Sequence, residues 1–305
     1  MQTIPLGNSA TEVSRLVYGC MRLVGDGSAG QRARGKRAIL AAVDAGYTIF
    51  DHADIYAGGE CESLFGEVLA ESPALRDQLF IVTKCGIRFA GDPDEGAPQR
   101  YDFSRAHIVR SVEASLSRLR IERLDLLLLH RPDYLFDARE VAATLVELEM
   151  SGKVRRFGVS NFSPSQVLLL NAACELPIEV NQLEINLHRT AALTDGTLDQ
   201  CQRLGMTPQA WSPLAGAVPG VGGKRFSADD TARIRAELLR QAKRYGVEDW
   251  LIALAWLLRH PARIAPVVGT TTPERIHMAV KALDVDYSRE DWYRLLEARN
   301  GHRVA

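Results

Sequence analysis

Cysteine is scarce and scattered in this chain. Cys20, Cys61, Cys85, Cys174 and Cys201 make an odd set of five, and no two stand in a C-x-x-C spacing. That pattern argues against a disulfide framework and a structural zinc, and implies free thiols in a reducing, cytoplasmic setting. No apolar run approaches the ~20 residues of a membrane span. The opening stretch MQTIPLGNSATEVSRL has no apolar core of the kind a secretory signal needs. Net charge is only -1, from 37 basic and 38 acidic residues, so no bulk field favours nucleic acid or an anionic membrane. Phosphate loops are missing too. GCMRLVGDGSAG fits neither G-x-G-x-x-G nor the Walker A pattern, and GVGGKR also fails. No stretch is long or polar enough to be a linker, so residues 1–305 read as one domain.

What is there is a rhythm: a short apolar run, a turn, then a segment of helical periodicity. The short runs fall at 16–19, 47–51, 80–84, 124–130, 156–160, 178–182, 207–212 and 264–268. They are rich in Leu, Val and Ile without strict alternation, as strands buried on both faces should be. Between them lie amphipathic segments at 36–45, 104–119, 138–151 and 163–173. Ser163 and Gln166 form a capping box around Pro164, and Gly46 reads as a helix stop. Eight β/α alternations in a chain of 305 residues predict an α/β fold of the (β/α)8 TIM-barrel class. The segment 3–16 is expected to be a hairpin closing the barrel floor. Extra helices are expected at 230–245, 248–260 and 288–298. A doubly wound open sheet is the competing architecture, but it would announce a phosphate loop after its first strand.

Polar groups at the C-terminal strand ends of such a barrel converge on one pocket. Asp51 ends the second run and Tyr56 follows five residues later. Lys84 ends the third run and His130 the fourth. Ser160 and Asn161 end the fifth, Gln182 the sixth, and Trp211 and Ser212 the seventh. Each residue alone has a structural reading: a helix cap, a solvated lysine, a satisfied core histidine. Together they would be a costly set to bury unless they interact. A phenol, with a reference pKa near ~10, is a weak acid at neutral pH. A lysine cation beside it should lower that pKa, and Asp51 would hold the lysine in place. His130 could then donate to a substrate oxygen beside Tyr56. This constellation suits carbonyl reduction, with the hydride coming from a cofactor. Ser160, Asn161 and Gln182 carry groups able to grip a carboxamide, and Trp211 offers a flat face to a nicotinamide ring.

Seven stretches, in order, carry a resemblance: GYTIFDHADIYAGGECESLFGEVL, FIVTKCG, LDLLLLHRPD, VRRFGVSNFS, VNQLEINL, AWSPLAG and TTPERI. On these motifs the chain resembles the aldo-keto reductase superfamily over essentially its whole length. The resemblance implies a tetrad of Asp51, Tyr56, Lys84 and His130, with Tyr56 as general acid. It implies NADPH bound in an extended conformation without a Rossmann domain, NADH being the alternative. The implied cofactor contacts are Ser160, Asn161, Gln182, Trp211, Ser212, Leu214, Gly269, Thr270, Thr271 and Arg275, with Lys224 in the glycine-rich loop as a further contact. Where many members carry a lysine this chain has Gly269, and Met278 and Ala279 replace an asparagine or glutamate. Arg275 remains as a cation for a 2′-phosphate, whose geometry a guanidinium matches with paired donors. Thr270 and Thr271 precede a helix start near Pro273, a seat for phosphate.

Two other readings compete. The pairs DHAD and HRPD offer Asp51, His52, Asp54, His130 and Asp133 as ligands of a metal-dependent hydrolase. Some relatives of the family act as regulatory subunits of potassium channels, binding cofactor and turning over slowly. The substrate is expected to be a small carbonyl compound with an apolar body, since Met21, Tyr56, Phe89, Phe136 and Trp211 would make a mostly apolar pocket. No metal, nucleic acid or membrane partner is expected. A monomer or weak homo-oligomer is expected.

Overall fold

A computed structural model describes residues 1–215, 217 and 226–304. Among these, strands β1 (Thr3–Pro5) and β2 (Glu12–Ser14) form an antiparallel hairpin. Eight further strands close a parallel barrel in chain order: β3 (Val17–Gly19), β4 (Ile49–Asp51), β5 (Phe80–Cys85), β8 (Leu126–Leu129), β9 (Phe157–Ser160), β10 (Ile178–Glu184), β11 (Thr207–Trp211) and β12 (Ala265–Val268). Between β5 and β8 a second small hairpin pairs β6 (Ile87–Arg88) with β7 (Arg100–Tyr101). Helices follow the barrel strands: α1 (Ala29–Asp44), α2 (Glu60–Glu71), α3 (Arg105–Leu119), α4 (Ala138–Met150), α5 (Pro164–Ala173), α6 (Thr197–Leu204), α7 (Ala228–Tyr245), α8 (Asp249–Leu258), α9 (Pro273–Ala279) and α10 (Arg289–Asn300). The TIM barrel, its floor hairpin and its extra helices are therefore as expected from the sequence.

Alternation along each strand sorts residues into two layers. Leu126 and Leu128 join Val17, Ile49, Phe80, Val82, Val180, Ala265 and Val267 inside the barrel. Leu127 and Leu129 belong instead to the layer between strands and helices. The hairpin residues Ile4, Leu6 and Val13 join the interior cluster, plugging the floor as the sequence suggests. Local signals also hold. Ser163 and Gln166 form the capping box of α5, and Gly46 takes a φ of +86° just past the end of α1. All five cysteines are buried and free. No helix among the described residues is long and apolar enough to cross a membrane.

One feature differs from expectation. The segment between β5 and α3, where the sequence shows no apolar run, carries the β6–β7 hairpin, with Ile87 opposite Tyr101 and Arg88 opposite Arg100. Arg88 fixes it by ion pairs to Asp92 at 2.9 Å and Asp102 at 2.8 Å. Helices α2 and α3 meet closely at Gly66, where an added Cβ would sit 2.2 Å from the carbonyl oxygen of Arg118. We predict that Gly66→Ala costs about 1–3 kcal/mol through forced separation of the two helices. Chemical denaturation measures this, and unchanged stability would contradict the close approach.

Candidate active site

The inward register that builds the floor also builds the site. Asp51 stands two residues beyond Ile49, Lys84 two beyond Val82, and His130 two beyond Leu128. Gln182 follows Val180 in the same way, and Gly269 follows Val267. Each side chain is thus the next inward step after an apolar interior residue, delivered to the C-terminal mouth of the barrel.

Lys84 lies at the centre and is fully buried. Its ammonium donates to Asp51 Oδ2 at 2.8 Å, to the carbonyl oxygen of His52 at 2.8 Å and to the Tyr56 hydroxyl oxygen at 3.0 Å. Three donors meet three acceptors. The other oxygen of Asp51 accepts from Gln182 Nε2 at 2.9 Å, and Gln182 Nε2 also donates to Gln209 Oε1 at 2.9 Å. The His130 ring stands edge-on to the Tyr56 ring, with centroids 6.1 Å apart. The four residues of the expected tetrad are therefore brought together.

Electrostatics refine the expectation for Tyr56. Burial pushes its pKa up, and the Lys84 cation offsets only part of that, so the phenol stands above its ordinary value and not below it. Burial likewise disfavours the Lys84 charge, but Asp51 and Tyr56 more than restore it, leaving its pKa raised. His130 is held well below the ordinary histidine range by burial, then by the Lys84 and Arg131 cations. At neutral pH the imidazole is neutral, the phenol protonated and the ammonium charged. The site therefore offers neutral donors backed by a fixed cation, as acid catalysis at an oxygen requires.

The expected cofactor residues are placed unevenly. Asn161 sits at a φ of +63°, just past β9. Its Nδ2 donates to the Ser160 hydroxyl at 2.8 Å and to the carbonyl oxygen of His130 at 3.2 Å. Its Oδ1 accepts from the indole N–H of Trp211 at 3.0 Å. Ser160, Asn161, Gln182 and Trp211 thus form one connected set beside the tetrad. Ser212, at a φ of +50°, turns the chain away from β11, and Asn186 donates to its carbonyl oxygen. Leu214 packs half-buried against the core. Thr270 accepts from the Tyr18 hydroxyl, and Arg34 donates to Thr271 O and Thr272 Oγ1. Arg275 is exposed. Lys224 lies outside the described residues.

The sequence reading missed four residues here. Gln209 is an inward residue of β11 and anchors Gln182, a position the period-two register would reveal. Arg131 puts its guanidinium over the Trp211 ring, 5.4 Å from the centroid. Arg22 and Arg34 flank the 269–272 segment. A Cβ on Gly269 would lie 3.8 Å from Arg22 Nη1, so a cation from the loop after β3 stands beside the position that lacks a lysine. Of the expected pocket residues, Phe136 is half-buried and its ring packs against Phe103 and Phe162 at 6.0 and 6.3 Å.

The residues of the metal reading do not converge. His52 is buried against Phe65, with ring centroids 4.6 Å apart. Both oxygens of Asp133 accept backbone amides, from Phe103 and Leu135. No group of three or more His, Cys, Asp or Glu able to hold a metal is found among the described residues.

A closed parallel barrel with a buried carboxylate–ammonium–phenol chain at its C-terminal mouth, beside a neutral histidine, defines a class of oxidoreductase. Comparison with known proteins agrees. The model of the aldo/keto reductase family matches residues 15–300, and the chain belongs to that family. Its members are oxidoreductases that use nicotinamide cofactors. The chain is 42% identical to a 6-dehydroglucose reductase of Agrobacterium fabrum, over 100% of both chains. It is 39% identical to the oxidoreductase YdhF of Escherichia coli, over 100% of this chain and 99% of that one. Among solved structures it resembles the thermostable aldo-keto reductase Tm1743, crystallised with the inhibitor epalrestat. That likeness has a TM-score of 0.83 at 26% identity, covering 98% of this chain and 100% of the other.

The loop that carries Tyr56 also carries the half-buried carboxyl of Asp54. Burial, and then the charge of Glu62, raise Asp54 from 3.8 to about 7. A carboxyl whose folded pKa exceeds its unfolded value binds a proton more tightly when native. Its contribution to stability is therefore present at low pH and lost as pH rises from about 4 to about 7. We predict that Asp54→Asn flattens the fall of Tm over that window. An identical pH slope in the variant would contradict the assignment.

Proposed function

We propose that this chain is an NADPH-dependent reductase of aldehydes or ketones in which Tyr56 is the general acid. The observation that carries the reading is the Tyr56 hydroxyl. Its oxygen accepts from the Lys84 ammonium, while its own proton has no acceptor among the described residues. That proton is left for a carbonyl oxygen. His130, neutral and beside Tyr56, supplies a second donor to the same oxygen. Charge that builds on this oxygen during reduction meets two neutral donors with the Lys84 cation behind them. As the proton leaves Tyr56, the ammonium stabilises the phenolate that forms, and Asp51 keeps the ammonium charged and oriented.

When bound, the reduced nicotinamide supplies a hydride to the carbonyl carbon. The residues present fit such a group. Gln182 has its amide nitrogen anchored twice, and its amide oxygen has no partner among the described residues, so it can accept a carboxamide N–H. Ser160 and Asn161 stand beside it, and Trp211 supplies an aromatic plane. Arg275 and Arg22 are the guanidinium groups available to a 2′-phosphate, with Arg34 bracing the 271–272 backbone between them. Arg22 takes the part of the lysine that Gly269 lacks, which favours NADPH over NADH. Ser212, Leu214, Gly269, Thr270 and Thr271 complete the proposed wall of the cofactor groove.

Two results are expected. Tyr56→Phe lowers kcat/KM for 4-nitrobenzaldehyde by roughly a hundred- to ten-thousandfold, with the NADPH dissociation constant unchanged. Wild-type rates in the variant would remove Tyr56 from the proton-donor role. Arg22→Ala and Arg275→Ala each weaken NADPH binding by about tenfold or more, as loss of a charge-assisted hydrogen bond should, while NADH binding changes little. Fluorescence titration measures both, and equal effects on the two cofactors would contradict a 2′-phosphate role. The carbonyl panel should include 6-dehydroglucose, the compound in the name of the Agrobacterium relative.

A further inference from the structure

Arg131 lies at the mouth of the site. It follows His130 directly in the chain and is half-buried. Its guanidinium stands over the Trp211 ring at 5.4 Å, reaching from the end of β8 towards β11. Among the described residues it has no hydrogen bond and no ion pair. The nearest acid in sequence, Asp133, is already committed to the amides of Phe103 and Leu135. Within the tetrad the charges cancel, since Lys84 pairs with Asp51 at 2.8 Å. Arg131 is therefore a cation with no paired acid among the described residues, one residue from His130.

A guanidinium over the face of an indole is attracted to the ring without using its N–H donors in hydrogen bonds. Such a group is held in place without being satisfied. An apolar substrate would bury those donors against hydrocarbon, which costs free energy. A substrate with an oxygen acceptor near its carbonyl would satisfy them.

We propose that Arg131 selects the substrate: it binds an oxygen acceptor, a hydroxyl or a carboxylate, a few bonds from the carbonyl, so oxygenated aldehydes and ketones are preferred to hydrocarbon ones. This rests on the carbonyl-reductase reading above and names the substrate class of the same site.

The test uses the full-length chain with saturating NADPH and two matched pairs: glyceraldehyde against propanal, and succinic semialdehyde against butanal. Wild type, Arg131→Met and Arg131→Lys are compared by kcat/KM, with NADPH affinity measured in parallel by fluorescence titration. In wild type the oxygenated member of at least one pair is preferred by about tenfold or more. In Arg131→Met that ratio collapses towards one, and Arg131→Lys restores part of it. Collapse in the carboxylate pair alone identifies an anionic substrate, and collapse in the hydroxyl pair alone a neutral polyol; either supports the proposal. It is overturned if wild type shows no preference, if the ratios are unchanged in Arg131→Met, if all four substrates fall equally, or if the loss appears in NADPH affinity. Failure of wild type to reduce any carbonyl with either cofactor would instead overturn the reductase reading itself.

Discussion

The Lys84 ammonium is the constraint around which this molecule is arranged. A charge with no exposure to water is very costly unless it is paired and fully hydrogen-bonded. Here all three of its donors are used, on Asp51, the His52 carbonyl and Tyr56. Asp51 in turn spends its second oxygen on Gln182, and Gln182 is tied to Gln209. The chain of contacts therefore crosses the barrel from β4 and β5 to β10 and β11. Removing one member leaves a buried charge or amide without its partner, so the pocket is held rigid by its own chemistry. A rigid, water-poor setting is where fixed donors act most strongly on a developing charge.

Burial and pairing then divide the labour among the titratable groups. Desolvation keeps the Tyr56 phenol protonated and His130 neutral, while pairing keeps Lys84 charged. The lysine does not make Tyr56 an unusually strong acid at rest. In the proposed mechanism its effect is felt when the proton moves and the phenolate appears beside it. Arg131 and Arg22 add cations at two further points of the mouth, one over Trp211 and one beside Gly269. Neither belongs to the central chain.

Much of this was legible in the sequence, because one physical rule does most of the placing. Inward residues recur every second position along a strand, so the polar residue two positions after Ile49, Val82, Leu128 or Val180 had to point into the barrel mouth. The floor hairpin and the α5 capping box were readable for similarly local reasons. What escaped depends on contacts between distant segments. The β6–β7 hairpin is pinned by Arg88 reaching Asp92 and Asp102, which leaves no periodicity. The packing of Phe136 on Phe103 and Phe162 escaped because those partners come from two other loops. The direction of the Tyr56 pKa turned on the depth of burial, and strand-end spacing does not report depth. Arg22 was hidden because its neighbour Gly269 is 247 residues away in the chain.

If Tyr56 is the proton donor, Lys84 acts on catalysis through it. The most direct test is a double-mutant cycle on kcat/KM for 4-nitrobenzaldehyde, built from Lys84→Met, Tyr56→Phe and the pair, with folding checked by circular dichroism. The account predicts strong non-additivity: Lys84→Met costs orders of magnitude alone, and little once the phenol is gone. Additive losses in folded variants would contradict it, because they would mean that the lysine and the tyrosine serve separate steps.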